Sequence, residues 1–290
     1  MFAKMKLIFS LVLINIVLGY SNADEVKCGT RKVDSEKSLT IGDSAEIKEF
    51  PWLVLLRYED ANGTNAGYRC LGTLVNNNAV ITSAGCVEPT EVILKGVRLG
   101  EYNLATDTDC IEKDDKKDCV DPVKDVGIEK KIVHSDYNST TGDNDIAVVI
   151  LDQKVDFSDS IQPICLPKAD TETKPGDKVV ATGWGRSQKG ELIVTMKRVV
   201  STVVSNEDCE KDYSKTTKTV TKNNICTKEL EDSKHFTCAA DSGGPLMSVS
   251  DNVWNVIGIT SFGIGCGNTF ADGNTKVASY VSWINDNIKV

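Results

Sequence analysis

Ser242 stands between an acid and two glycines, in the stretch Cys238-Ala239-Ala240-Asp241-Ser242-Gly243-Gly244-Pro245-Leu246. A hydroxyl flanked in this way suits a tightly held backbone that gathers amide N–H groups around one oxygen, the arrangement of an oxyanion hole. The same residues also spell an ordinary turn supplied by glycine. A serine attacks a carbonyl at neutral pH only when a neighbouring base takes its proton, and the chain has just two histidines, His134 and His235. Whether the stretch is a site or a turn therefore depends on what the rest of the chain brings to it.

Length and composition set the frame. At 290 residues, 40% hydrophobic and 26% charged, the chain is long enough for one large domain and is neither disordered nor fibrous in character. Its start reads as an export signal over 1–23: Lys4 and Lys6 precede an apolar run at 7–18, with small residues Ser21 and Ala23 before the expected cut. That run is too short to span a bilayer. Ten cysteines in an exported chain point to disulfides rather than metal ligands. Loss of Lys4 and Lys6 leaves 31 basic against 42 acidic residues, a net charge of −11. Such a surface repels nucleic acid and anionic lipid, so neither is an expected partner. Two sequons, at Asn62 and Asn138, suit glycosylated surface loops.

Past a short polar tether at 24–38, the chain from 39 to 290 reads as one domain of many short β-type runs. They fall at 52–56, 68–75, 79–82, 92–99, 126–133, 146–151, 178–182, 196–204 and 253–261. Asn76-Asn77-Asn78 supplies a hairpin turn between two of them. With no amphipathic helices between strands, the class is all-β, a barrel or a sandwich pair. Only the end repeats at helical spacing: Val277, Tyr280, Val281, Ile284 and Ile288 form one apolar stripe from about Lys276.

Several segments, in order, resemble the chymotrypsin-like (trypsin-type) serine proteases: Phe50-Pro51-Trp52, Cys70-Leu71-Gly72-Thr73-Leu74, Ile81-Thr82-Ser83-Ala84-Gly85-Cys86, Asp145-Ile146-Ala147, Gly183-Trp184-Gly185 and the Ser242 stretch. The resemblance implies two six-stranded antiparallel barrels with the site between them and a C-terminal helix. It also implies the pairings Cys70 with Cys86, Cys209 with Cys226, Cys238 with Cys266, Cys110 with Cys119, and Cys28 with Cys165, which use all ten cysteines.

By the same resemblance Asp145 and Ser242 take the acid and nucleophile positions, while the histidine position holds Gly85. Glycine has no side chain to accept a proton, so the step that opens acyl transfer lacks its base. His134 is expected on a surface loop. His235, seven residues before Ser242, is expected to approach from the wrong side. Ala240 replaces the glycine that, with Ser242, forms the oxyanion hole, and Phe236 replaces an acid at the base of the substrate pocket. Ser261, Gly263 and Asp272 are the other pocket residues. Activation looks compromised too: Leu39-Thr40-Ile41-Gly42 stands where a new N-terminus would be released to pair with Asp241, and it follows Ser38 rather than a basic residue. Glu101 opens what in some relatives is a calcium loop. Here Lys113, Lys116 and Lys117 interrupt the acids and favour a solvated charged loop, so no cofactor is required.

The disulfide-closed loop and the cysteine in the tether resemble insect clip-type protease homologs, without the six-cysteine clip module. The resemblance implies a secreted, extracellular protein with a dead active site that binds other secreted proteins: proteases, zymogens or inhibitors. Such homologs act as cofactors or decoys in haemolymph cascades, including melanisation, or occur in venom and saliva. The competing expectation is a working endopeptidase, since Ser242 and Asp145 remain.

Overall fold

In the computed structural model the described residues are 27–31, 33, 44–113, 116–185, 193–230, 241–265 and 270–289. Alternating apolar runs pair into strands that curl closed, because a closed sheet leaves no unpaired edge. The first barrel comprises β1 (Leu53–Glu59), β2 (Asn65–Leu74), β3 (Ala79–Thr82), β4 (Ile93–Leu99), β7 (Lys124–Val133) and β8 (Ala147–Leu151). Its order is β1-β2-β3-β8-β7-β4, all pairs antiparallel. A charged hairpin, β5 (Cys110–Lys113) with β6 (Lys116–Cys119), stands outside it, and the Cys110–Cys119 disulfide joins the two strands at directly paired positions.

The second barrel, closed in the order β10-β11-β14-β13-β12-β9, is built from β9 (Lys178–Gly183), β10 (Lys197–Val204), β11 (Asn224–Glu229), β12 (Pro245–Ser250), β13 (Val253–Phe262) and β14 (Asp272–Lys276). The expected pair of six-stranded barrels is therefore what forms. Trp52, just before β1, and Trp254, on β13, are both fully buried, and the Trp52 indole N–H points to the Met247 sulfur on β12 at 3.0 Å. These aromatic side chains make the two barrels share one core, and with it a fixed cleft.

Besides the two strands of the charged hairpin, three barrel strands escaped the sequence reading, for a common reason. β14 reads Asp-Gly-Asn-Thr-Lys, β11 ends in Thr-Lys-Glu and β12 opens on a proline, so none shows a clean apolar alternation. Their neighbours in the barrel impose the strand. The chain is also less free of helices than expected. Besides the one-turn α1 (Ala84–Val87), α2 (Asn206–Tyr213) buries only Cys209 and Tyr213, one turn apart. Its legible signal is its cap: Ser205 Oγ accepts from Asp208 N at 3.1 Å, with Glu207 and Asp208 in the first turn. At the end of the chain a 3-10 turn (Val277–Tyr280) leads into α3 (Val281–Ile288).

Four of the five expected disulfides lie among the described residues: Cys28–Cys165, Cys70–Cys86, Cys110–Cys119 and Cys209–Cys226. Cys238 and Cys266 fall outside them. The first of the four fixes the tether, and hydrogen bonds help: Gly29 N donates to Pro163 O at 2.8 Å and Gly29 O accepts from Trp254 N at 2.9 Å. A Cβ at Gly29 would sit 2.3 Å from the Trp254 carbonyl oxygen, so only glycine permits this approach. Arg31 then lies over the Trp254 ring at 4.3 Å and the Phe50 ring at 5.2 Å. Its Nη1 reaches 3.7 Å from the fully buried Glu49 carboxylate, which also takes Arg198 Nη1 at 2.7 Å.

Candidate functional site

Ser242 is held by both barrels at once. Its carbonyl oxygen accepts from Leu71 N on β2 at 2.9 Å, and the next amide, Gly243 N, donates to Thr260 O on β13 at 2.8 Å. Gly243 has φ +79°, and a Cβ there would meet Thr82 Oγ1 at 2.2 Å and Leu71 O at 2.5 Å. The glycine after the serine is thus demanded twice, by its backbone angle and by the closeness of the first barrel. The acid before it, Asp241, is buried and accepts from Gly185 N at 3.0 Å. Backbone groups of three separate segments, Leu71, Thr260 and Gly185, fix the turn, two of them through its backbone and the third through the Asp241 carboxylate.

Asp145 lies at the start of β8, also buried. Its Oδ1 accepts from Gly85 N at 3.0 Å, its Oδ2 from Ser261 Oγ at 2.5 Å, and the backbone of Ala84 makes a further hydrogen bond. Ser261 is aimed there by a register shift. Thr260 pairs with Asn274 and Phe262 with Gly273, so Ser261 is the extra residue of a bulge, a device that redirects a side chain. The Ser261 hydroxyl, expected to line the substrate pocket, holds the acid. A Cβ on Gly85 would lie 4.0 Å from Asp145 Oδ1, so the residue at position 85 does face the acid. Nearer still, at 3.2 Å, is the hydroxyl of Tyr137, a residue the sequence reading passed over because nothing in its local pattern marks it.

Burial raises the Asp145 pKa above the usual carboxylate value, against the lowering pull of its three hydrogen bonds. The sign follows from linkage. A group whose folded pKa is raised favours the fold fully below its unfolded value of about 3.9 and loses that contribution as pH climbs through the folded value. Comparing melting temperatures of the wild type and Asp145→Asn from pH 3 to pH 7 is expected to show the wild type losing ground to the variant as pH rises. A gap that is constant or widens in the wild type's favour contradicts the raised pKa.

A family model, Trypsin, matches residues 40–284. The chain belongs to the trypsin family. Among its relatives, the CLIP domain-containing serine protease B9 of Anopheles gambiae is 38% identical over 256 residues, covering 86% of this chain and 62% of that protein. Phenoloxidase-activating factor 1 of Holotrichia diomphalia is 35% identical over 273 residues, covering 90% and 72%. The crystal structure of the Drosophila Grass clip serine protease of the Toll pathway superposes with a TM-score of 0.76 at 28% identity, over 92% of this chain and 76% of that one. The chain thus spans less than two thirds of the length of the first of these relatives.

Within the trypsin-family frame, Asp272 does sit beside Gly263 as expected: a Cβ on that glycine would fall 2.7 Å from the Asp272 carboxylate. Phe236, Ala240 and His235 lie outside the described residues, as do Leu39-Thr40-Ile41-Gly42. His134 lies on the loop that follows β7 and is half-buried there. Its ring packs against Tyr280 and Trp283, with centroids 5.4 and 5.1 Å apart, and its Nδ1 accepts from Asp136 N at 3.3 Å. Beside Gly85 a cleft of about 130 Å³ opens, lined by the Cys70–Cys86 disulfide, Tyr58, Arg69, Pro89 and Glu91 among others.

Glu101 and Asp109 are both buried at the root of the charged hairpin. Glu101 accepts from Tyr102 N at 3.0 Å and from Arg98 Nη1 at 3.4 Å. Asp109 accepts from Tyr102 N and Asn103 N at 3.1 and 2.8 Å and from the Thr106 hydroxyl. Each carboxylate oxygen already faces a donor, and among the described residues no three acidic, histidine or cysteine side chains gather as a metal site. Asn62 and Asn138 are both exposed, and among the described residues no helix is long and apolar enough to cross a membrane.

Proposed function

We propose that this chain is a secreted, non-catalytic member of the trypsin family that acts by binding other secreted proteins, namely proteases, their zymogens or their inhibitors. The observation that carries the reading is the side-chain identity at the position facing Asp145. Gly85 offers a backbone N–H, a donor, where proton abstraction from Ser242 requires an acceptor. The nearest polar side-chain atom to that position is the Tyr137 hydroxyl, whose pKa is pushed up to about 12, chiefly by burial and then by the charges of Asp145 and Glu88. A phenol held that high stays protonated at neutral pH and is no substitute base. The export signal over 1–23, the disulfides and the exposed sequons at Asn62 and Asn138 support secretion and glycosylation. Similarity to phenoloxidase-activating factors of Holotrichia diomphalia supports a place in an arthropod melanisation cascade.

The catalytic half of the proposal is tested with the mature chain, from Asp24 onward, a serine-directed fluorophosphonate probe and a peptide library, beside the Gly85→His variant. Loss of one member of the triad leaves roughly 10³ to 10⁴ over the uncatalysed rate in enzymes of this type. The unaltered chain is expected to show no more than that and no labelling on the timescale of an active protease. Rapid labelling with turnover overturns the reading. The binding half is tested in arthropod plasma: added chain is expected to change the rate of melanin formation, and no change at stoichiometric dose counts against the cascade. A working endopeptidase is the second reading, favoured by Ser242 and Asp145, both retained and held from two barrels.

A further inference from the structure

Asp145 is only 6% exposed, and the described residues supply its carboxylate with one donor fewer than it can take. An ionised carboxylate offers about four lone-pair sites. Three are met: Oδ1 accepts from Gly85 N at 3.0 Å, Oδ2 from Ser261 Oγ at 2.5 Å, and the backbone of Ala84 makes the third bond. Toward position 85 the acid meets no side chain, because that residue is glycine. Among the described residues only two atoms would stand within 4 Å of a Cβ placed there, the Tyr137 hydroxyl at 3.2 Å and Asp145 Oδ1 at 4.0 Å. The hydroxyl is the far end of a side chain and yields by a few tenths of an ångström. Its turn stays in place, with Tyr137 N donating to His134 O at 3.0 Å and Asn144 Nδ2 to Asp136 O at 2.9 Å. Gly85 also borders the cleft of about 130 Å³ that opens beside the Cys70–Cys86 disulfide. One residue therefore adjoins both a buried acid and an opening at the surface.

We propose that the space over Gly85 is a binding site for an imidazole ring, and that the ring arrives as a histidine side chain of the polypeptide this chain holds. It rests on the reading of position 85 as one that supplies no base of its own, and carries that reading further: recognition of the partner turns on one side chain. The count of donors selects the ring. A neutral imidazole carries one N–H, and one lone-pair site is what the acid has left. A guanidinium brings five N–H donors and an ammonium three, so either leaves most of them unpaired or keeps its water. Burial points the same way. A fixed charge gives up much hydration to come beside a buried group, whereas a neutral ring gives up less, and the carboxylate favours its protonated form once it is there. The chain does not bring His134 to this place: its ring packs against Tyr280 and Trp283. His235 lies outside the described residues.

The test follows the Gly85 and Tyr137 amide signals by NMR in the mature wild-type chain, at a pH about two units above the ordinary imidazole value of about 6.5, where imidazoles are neutral. Added imidazole is expected to shift both signals saturably. 1-Methylimidazole, which has no N–H, and methylguanidinium, which has several, are each expected to bind about tenfold more weakly or worse. Equal affinity for 1-methylimidazole overturns the hydrogen bond to Asp145, and equal affinity for methylguanidinium overturns the ring in favour of a plain cation site. No saturable shift with imidazole overturns the site itself. Gly85→Leu fills the space and is expected to abolish the Tyr137 shift, so a shift retained there also counts against it. The ligand series needs only the wild type and decides the matter even where that variant fails to fold. N-acetylhistidine methylamide separates the sources of the ring. Affinity close to that of imidazole supports a polypeptide histidine, and no binding beside firm imidazole binding overturns that source in favour of a small molecule. Fluorophosphonate labelling of the wild type without added imidazole sinks the non-catalytic reading and leaves this test standing, whereas failure here leaves that reading untouched.

Discussion

Glu49→Ala is expected to lower the stability of the fold by about 3–5 kcal/mol, the usual cost of removing one partner from a buried ion pair. Glu49 is fully buried, and its carboxylate sits between the guanidinium groups of Arg198 at 2.7 Å and Arg31 at 3.7 Å. Both arginine side chains are under a tenth exposed. Truncation takes away the one negative charge between them and also the acceptor for Glu46 N, at 2.6 Å. Two cations held in a shared low-dielectric region then repel one another without the carboxylate that lay between them. Equilibrium unfolding in urea, with the slope checked for constancy, is the measurement. A loss below about 1 kcal/mol would mean that water enters to solvate the guanidinium groups and that the cluster is not the dry site it is drawn as. The position is not obvious from the chain, where Glu49 is one acid among 42.

Gly243→Ala is expected to cost about 2–5 kcal/mol, made up of the strain of a left-handed alanine and of overpacking against backbone. The control separates the two contributions. Gly176 has φ +97° with nothing within 4 Å of its virtual Cβ, while Gly243 has φ +79° with Leu71 O at 2.5 Å. Gly176→Ala should therefore lose only the conformational part, about 1–2 kcal/mol. In calorimetry Gly243→Ala falls by roughly 10 °C and Gly176→Ala by a few degrees. Equal losses would show that the first barrel does not press on the turn that carries Ser242.

How much of this was readable beforehand differs from residue to residue. The barrel strands rich in apolar residues, such as β3 and β4, lie where the sequence reading places them to within a residue. β14, with no apolar residue at all, does not, because its side chains are chosen by the neighbours it pairs with, β11 and β13. Ordered motifs put Ser242, Asp145 and position 85 together, and the structure brings Gly85 and Asp145 into hydrogen-bond contact. The hydrogen bond from Ser261 to the acid was not read from the sequence, since a one-residue bulge turns a side chain by an amount that no linear pattern records. Tyr137 carried no signal because its place beside position 85 is made by a fold that brings together residues 52 positions apart. A single-sequence reading sees residues present, not volumes left by residues absent.

The fastening of residues 27–31 has a further consequence for processing. Cys28 is bonded to Cys165, on the connection between the barrels, and Arg31 is packed over the Trp254 ring. A peptide bond hydrolysed anywhere between Val33 and Ser44 would yield a heavy and a light polypeptide that migrate as one species until a reductant is added. Cleavage there alters the count of free termini while the Cys28–Cys165 bond keeps both pieces in one molecule.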